Sequence, residues 1–262
     1  MAPIIALLSD FGTQDHYAGT MKGVVLGICP DAILVDISHD IPPHDVLAGA
    51  LQLAASYKYF PQGTIFLVVV DPGVGSSRRG IAAEAGGYRF VGPDNGVLTA
   101  VFREEPPRKI VELTERRYAR PTVSRTFEGR DRFAPAAAWL AKGIQLPALG
   151  RPAGPLHQLH LPTASCTEGV LTGTVVMVDR FGNLISNIDR RTFESFARAQ
   201  PVRILADGRP VARLVSTYSE MPAGEVCALF GSSDHLELAV YSGDAGRLGG
   251  LQRGSQIEIR HD

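Results

Sequence analysis

The stretch Thr64-Ile65-Phe66-Leu67-Val68-Val69-Val70-Asp71-Pro72-Gly73-Val74-Gly75 carries the strongest structural signal in the chain. Its first seven residues are β-branched, aromatic or aliphatic, with no polar alternation. A strand apolar on both faces belongs in the middle of a covered, mostly parallel sheet. The run stops at an aspartate and a Pro-Gly turn, so Asp71 stands at the carboxyl end of a central strand. In open α/β sheets that is the edge where ligands bind.

The flanking sequence repeats the logic. Ile4–Leu8 is a second short apolar run, closed by Asp10 and Gly12. Ala18, Met21, Val24, Val25 and Ile28 then recur at helical spacing, and Pro30 follows. Ile33–Ile37 is another strand-like run. Asp45 is placed to cap a helix bearing Val46, Leu47, Ala50, Leu51, Ala54 and Tyr57. Phe133–Lys142 reads as a late Ala-rich helix stopped by Gly143. Residues 151–168 carry no period and read as a linker. From residue 169 on, short strand-like runs predominate, namely Gly169–Val178, Val202–Leu205, Val211–Leu214, Glu225–Phe230, His235–Val240 and Gln256–Ile259. Only Thr192–Ala199 has a helical pattern there. The expected organisation is an α/β domain over 1–150, a linker over 151–168, and a β-barrel-like domain over 169–262.

Composition narrows the function. The chain has 262 residues, 45% of them hydrophobic and 20% charged, enough for a core without a metal or disulfide scaffold. Lysine plus arginine number 26 against 27 acidic residues, giving a net charge of −1. No basic excess exists to hold a phosphate backbone, so nucleic acid is not an expected partner. The three cysteines, Cys29, Cys166 and Cys227, form no C-x-x-C pair and favour a reducing compartment. The apolar run at Ile4–Leu8 is too short for a leader or a membrane span. A soluble cytoplasmic protein without a membrane partner is expected.

Several clusters could carry chemistry. Asp71 and Arg78, seven residues apart in DPGVGSSRRG, can face each other across a small pocket; the alternative is a turn with solvent-facing arginines. The segment lacks the glycine spacing of a phosphate loop. Asp10 and Asp15 offer two carboxylates on one loop, suited to a vicinal diol or an ammonium, or to capping the helix that follows. In SHDIPPHD, His39, Asp40, His44 and Asp45 do not have metal-ligand spacing, and a loop or helix cap is expected instead. In FEGRDRFAP, Asp131 reads as a helix cap, and Glu128 as a base, an ion-pair partner or an exposed side chain. In DRFGNLISN, Phe181 and Asn183 could stack on and pair with a purine, or make a hairpin turn with a core phenylalanine. No G-x-S-x-G element supports a covalent nucleophile.

Taken together, SDFGTQDHYAGTMKGVVLGICPDAILVDISHDIPPHDV, FPQGTIFLVVVDPGVG, GPDNGVL, TFEGRDRFAPAAAWL and DRFGNLISNI, in this order, resemble the S-adenosyl-L-methionine hydroxide adenosyltransferases, the hydrolytic relatives of fluorinase and chlorinase. The resemblance covers nearly the whole chain. It implies an α/β domain followed by a β-barrel-like domain, and a homotrimer with its sites at subunit interfaces. It also implies attack of water or hydroxide on C5′ of the small-molecule substrate S-adenosyl-L-methionine, giving adenosine and L-methionine with no metal or added cofactor. By position, Asp10 matches the carboxylate that holds the ribose hydroxyls and Asp15 the one that meets the methionine ammonium. Asp71 and Arg78 match two members of an Asp–Arg–His set. Phe181 and Asn183 match adenine-site positions, and Ser232 and Ser233 fall near another ligand-contacting stretch. Glu128 stands where the family motif T-F-H-G-R-D has histidine, and is expected to be compensated by an arginine while it fixes Arg78 or the water. The halogenases carry tyrosine at the position of Asp71. Alternatives are a silent S-adenosylmethionine- or adenosine-binding protein and a 5′-halogenase.

Overall fold

The computed structural model describes residues 2–262. The chain divides into two compact units, Met1–His160 and Leu161–Asp262.

The first unit is built on seven strands: β1 (Ile4–Ser9), β2 (Ile33–Ser38), β3 (Ile65–Val69), β4 (Gly80–Ala85), β5 (Tyr88–Pro93), β6 (Lys109–Leu113) and β7 (Gly150–Pro152). Their order in the sheet is β2-β1-β3-β5-β4-β6-β7. The part β2-β1-β3-β5 is parallel, and β4, β6 and β7 extend it antiparallel. The apolar run on β3 serves both faces. Ile65, Leu67 and Val69 pack with Met21, Val25, Phe133 and Leu140, under α1 (Tyr17–Ile28) and α4 (Ala134–Ala141). Phe66, Val68 and Val70 pack with Ala48, Leu53, Val97 and Val101, under α2 (Val46–Ser56) and α3 (Thr99–Glu104).

Local signals account for several element ends. The Asp45 side chain accepts from the Ala48 N–H and caps α2, as its place in the sequence implies. Gly143, at φ 93°, closes α4; its N–H bonds the Leu140 carbonyl and that of Ile144 bonds Trp139, the two bonds of a left-handed helix stop. Thr13 and Asp15 do not cap α1, whose first residue follows His16 without a side-chain cap.

The linker expected over 151–168 is structured at both ends. Its start forms β7, and Ser165–Thr167 forms β8 against the following strand. Between them, the His157 N–H bonds Asp94, the Leu159 N–H bonds Thr99, and Arg79 donates to the Pro155 carbonyl at 2.5 Å. Those bonds satisfy a backbone that has no periodic side-chain pattern, which is why its order left no trace in the sequence.

The second unit holds β8, β9 (Val170–Val178), β10 (Leu184–Asp189), β11 (Val202–Ala206), β12 (Arg209–Pro210), β13 (Cys227–Phe230), β14 (His235–Ala239) and β15 (Gln256–His261). The order is β12-β11-β15-β9-β10-β14-β13, with β8 beside β9, antiparallel throughout. The sheet curls into a half-barrel, and the register of β10 shifts after Ile185 against both of its neighbours, β9 and β14. Inside lie Leu171, Val175, Leu184, Ile188, Leu236, Ile257 and Ile259. Two short helices flank it, α5 (Arg190–Ala197) and α6 (Ala245–Gly249). Val211–Leu214 is not a regular strand: it makes an isolated bridge from Leu214 to Ala228 and scattered backbone bonds, Val211 N–H to the Ile204 carbonyl, Ala212 N–H to the Val226 carbonyl and Ala228 N–H to the Arg213 carbonyl. No helix among the described residues is long and apolar enough to cross a membrane.

Candidate active site

Strands β1 and β3 are parallel neighbours, with Ser9 opposite Val69. Asp10 and Asp71 therefore leave the sheet side by side at its carboxyl edge. Both line one cleft of about 540 Å³, a volume within the usual range for small-ligand sites. Its walls also include Phe11, His16, Tyr17, His44, Phe127, Glu128 and Arg130, all from the first unit.

Asp10 is held from the chain that follows β2. It accepts a hydrogen bond from the His44 N–H at 2.9 Å, and His44 adopts a left-handed φ of 67° to present it. A non-glycine residue in that conformation is uncommon and concentrates at functional sites. This is the role of the Pro-Pro-His turn in SHDIPPHD. His39 is buried between Ser9 Oγ at 2.7 Å and Asp36 at 3.1 Å, bracing the base of the same loop. Among the described residues no group of three or more His, Cys, Asp or Glu side chains is arranged to hold a metal.

Asp71 is tied to Arg78 by two bonds, Nε to Oδ1 at 2.9 Å and Nη2 to Oδ2. The turn between them makes this possible. Val74 N–H bonds the Asp71 carbonyl, and Gly75, at φ 78°, passes so close to the Arg125 carbonyl oxygen that a Cβ would collide with it. Asn95 Nδ2 donates to the Val70 carbonyl at 2.8 Å and fixes the backbone just before Asp71. Arg79 turns away to the buried Asp94. Neither arginine is the free, solvent-facing side chain that a bare turn would carry.

Arg78 is not among the lining residues. It lies behind the two carboxylates that are, and Nη2 also meets Glu128 Oε2 at 2.5 Å. The side chains of Arg78, Asp71 and Glu128 retain only 9%, 6% and 13% exposure, so these charges act in a weakly screened environment. The guanidinium rests on the Phe133 ring, 5.0 Å from its centroid, and its Nη1 is buried without a hydrogen-bond partner. Burial lifts the Asp71 carboxyl above the usual carboxylate range. The hydrogen bond and charge of Arg78 oppose this, the Glu128 charge adds to it, and the Gly73 N–H opposes it.

Glu128 precedes a wide π-type turn over Gly129–Phe133, a form that recurs at functional sites. Four residues on, Arg132 Nη1 reaches Glu128 Oε1 at 2.9 Å, and its Nη2 anchors on the Leu113 carbonyl at 2.5 Å. Asp131 does not cap the helix. It is fully buried inside the π-type turn, gripped by Arg130 through two bonds of 2.7 Å and by the Ser124 N–H at 2.8 Å. Despite the burial, these partners hold its carboxyl below the usual range. That grip fixes Arg130, whose guanidinium lies 5.1 Å from the Phe127 ring centroid.

Phe11, Tyr17 and Phe127 form an aromatic wall, with edge contacts of 5.7 Å from Phe11 to Phe127 and 5.2 Å from Tyr17 to Phe127. The sequence gives no local signal for this wall, because its members come from two distant segments. Arg132 did leave a signal, the E-x-x-x-R spacing of an i,i+4 ion pair. Asp15 is exposed on the loop from Phe11 to His16 and does not line the cleft.

The remaining expected residues belong to the second unit. Asp179 gathers the turn after β9, accepting from the N–H groups of Phe181 and Asn183 and from the Asn183 amide at 2.9 Å. Asn183 is buried, but Phe181 is 77% exposed and is no core residue. Ser232 and Ser233 sit in the turn before β14, where the Ser233 carbonyl meets His235 Nδ1 at 2.9 Å. A groove of about 780 Å³ elsewhere in this unit is lined by Cys166, Asp189, Arg191, Phe196 and His261, and Asp189 there is spent capping α5.

Comparison with known proteins places these features in context. Residues 5–150 match the model of the SAM hydroxide adenosyltransferase N-terminal domain, and residues 173–258 that of the C-terminal domain. The chain is 38% identical over 267 residues to a protein of Thermus thermophilus named (R)-S-adenosyl-L-methionine hydrolase, covering 99% of this chain and all of that one. A fluorinase of an Actinoplanes species is 31% identical over 79% of each chain. A crystal structure of an uncharacterized conserved protein from Thermotoga maritima superposes with a TM-score of 0.93 at 34% identity, covering 98% of this chain and all of that one.

Proposed function

The chain belongs to the SAM hydroxide adenosyltransferase family, and from that premise we propose that it hydrolyses S-adenosyl-L-methionine to adenosine and L-methionine. The observation that carries the reading is the convergence of Asp10, Asp71 and Glu128 on one cleft at the carboxyl edge of adjacent parallel strands. A water oxygen forms the bond to C5′, the C5′–sulfur bond breaks, and the sulfur keeps the electron pair and leaves as a neutral thioether. One proton is released. A sulfonium needs no further activation to depart, so the reaction requires neither metal nor added cofactor. The protein's work is to strip, align and deprotonate the water.

Asp71 takes the proton. Its burial raises the basicity of the carboxylate, which improves a general base working near neutral pH. Arg78 fixes its direction, and Glu128 holds Arg78 from the other side. Asp10, immobilised by the His44 N–H, accepts from both ribose hydroxyls. Asp15 receives the methionine ammonium from its exposed loop. Phe181 stacks on the adenine and Asn183 pairs with its edge, while Ser232 and Ser233 complete the ligand contacts of the second unit. The assembly proposed is a homotrimer in which Phe181, 77% exposed, and Asn183 of one copy serve the cleft of another. Three cysteines without a disulfide among them support a cytoplasmic setting.

The test is to incubate the purified chain with S-adenosyl-L-methionine and separate the products. Adenosine and L-methionine in equal amounts are expected. No adenosine at any pH would overturn the reading. 5′-Chloro-5′-deoxyadenosine as the main product in high chloride would move the enzyme to the halogenating branch.

A further inference from the structure

We infer that Arg132, which does not itself line the cleft, is a positioning residue that neutralises Glu128 and so leaves Arg78 to orient Asp71. The inference rests on the hydrolytic reading above and deepens it. Four side chains form a row of alternating charge: Asp71, Arg78, Glu128, Arg132. Without Arg132, two carboxylates of low exposure compete for one guanidinium. Both reach the same nitrogen, Nη2 of Arg78. The site would then carry an excess negative charge beside the water that must become hydroxide.

The geometry of Arg132 suits this task. Nη1 takes Glu128 Oε1, the oxygen that Arg78 does not use, and Nη2 is pinned to the Leu113 carbonyl at the end of β6. The π-type turn brings residues 128 and 132 onto one side of the chain, so the pair forms without distorting the helix that follows. On its far side Arg132 lines a separate cavity of about 250 Å³ with Leu113, Glu115 and Arg116. It therefore acts through Glu128 and Arg78, not on substrate.

The experiment is a double-mutant cycle on the full chain, with Arg132→Gln, Glu128→Gln and the pair, read as kcat and KM for S-adenosyl-L-methionine. With Glu128 left unneutralised, Arg78 divides between two carboxylates and no longer holds the plane of Asp71, so Arg132→Gln is expected to lower kcat about tenfold with KM nearly unchanged. In the Glu128→Gln background the same change is expected to cost less than about twofold, because the charge to be neutralised is gone. Arg132→Lys should keep most of the activity. Equal losses in both backgrounds, or no loss in either, would overturn the inference.

A second readout does not depend on turnover. The Arg78 Nε–H, bonded to Asp71, gives its own resonance in a proton–nitrogen spectrum. It is expected to shift in Arg132→Gln and to return toward the parent position when Glu128→Gln is added. An unmoved resonance would overturn the role of Arg132. A parent enzyme that releases no adenosine would defeat the hydrolytic reading and leave this spectral test standing.

Discussion

Arg78 and Asp71, seven positions apart around one turn, form a two-point ion pair, Nε on Oδ1 at 2.9 Å and Nη2 on Oδ2. The pair fixes both the position and the plane of the carboxylate at the carboxyl edge of β3. Two parallel bonds give a direction that a single bond leaves free. A base that must face one carbon of a bound nucleoside needs that direction.

Asp71→Asn keeps the shape and one hydrogen bond from Arg78 but removes the basic oxygen. General-base assistance is worth about 10²–10⁴-fold, and kcat is expected to fall by that factor. KM should change little. Adenosine release followed by chromatography is the measurement, and a variant within about fivefold of the parent would remove Asp71 from the role of base.

The raised proton affinity of Asp71 has two consequences of opposite sign. Between its unfolded and folded values the folded chain binds more protons than the unfolded chain, so the contribution of Asp71 to stability falls as pH rises through that window. Activity runs the other way, because the ionised carboxylate accumulates only above the raised value. The acid limb of the kcat profile is therefore expected above the usual carboxylate range. Arg78→Met, which removes the lowering influence, should push it higher. Urea unfolding of parent and Asp71→Asn across the acid range checks the first sign, and the kcat profiles check the second.

Arg78→Met also tests the ion pairs as structure. It leaves Asp71 and Glu128 facing each other with little solvent access. Breaking a buried pair by removing one partner costs about 3–5 kcal/mol. Part is recovered by protonation of Asp71, so the loss should be smaller at low pH than at neutral pH. A loss independent of pH would mean that the two carboxylates do not sense each other.

What the sequence revealed and what it hid follow from one distinction. Asp10 and Asp71 were legible because each ends an apolar run, and parallel strands deliver their ends to one edge. The hairpin of β4 and β5 was hidden. Gly80–Ala85 reads GIAAEA, with little β-branching, and is a strand because small residues let neighbours approach; a Cβ on Gly80 would strike the Phe133 ring at 2.6 Å. Asp131 looked like a cap because the π-type turn ahead of α4 has no sequence signature. The wall of Phe11, Tyr17 and Phe127 has none either, since tertiary packing alone brings it together.

Gly75→Ala examines the turn that joins Asp71 to Arg78. The position has φ 78° and no room for a Cβ beside the Arg125 carbonyl. Strain of this kind costs about 1–3 kcal/mol, and it falls on the loop that sets the ion pair. A lower unfolding midpoint together with reduced kcat is expected. Full activity with lowered stability would show that the turn's shape does not govern the placement of Asp71.

Phe181→Ala separates binding from stability. The ring is 77% exposed, so its loss should leave the unfolding midpoint unchanged. Stacking of one base on an aromatic side chain is worth about 1–3 kcal/mol, which corresponds to a rise in KM of roughly 5- to 150-fold with kcat nearly preserved. Phe181→Tyr should retain the parent KM, because the stacking face is kept. Calorimetry with adenosine measures the same loss without turnover. If Phe181→Ala binds adenosine as tightly as the parent, the exposed ring is not the adenine platform, and the site in the second unit must be sought among other side chains.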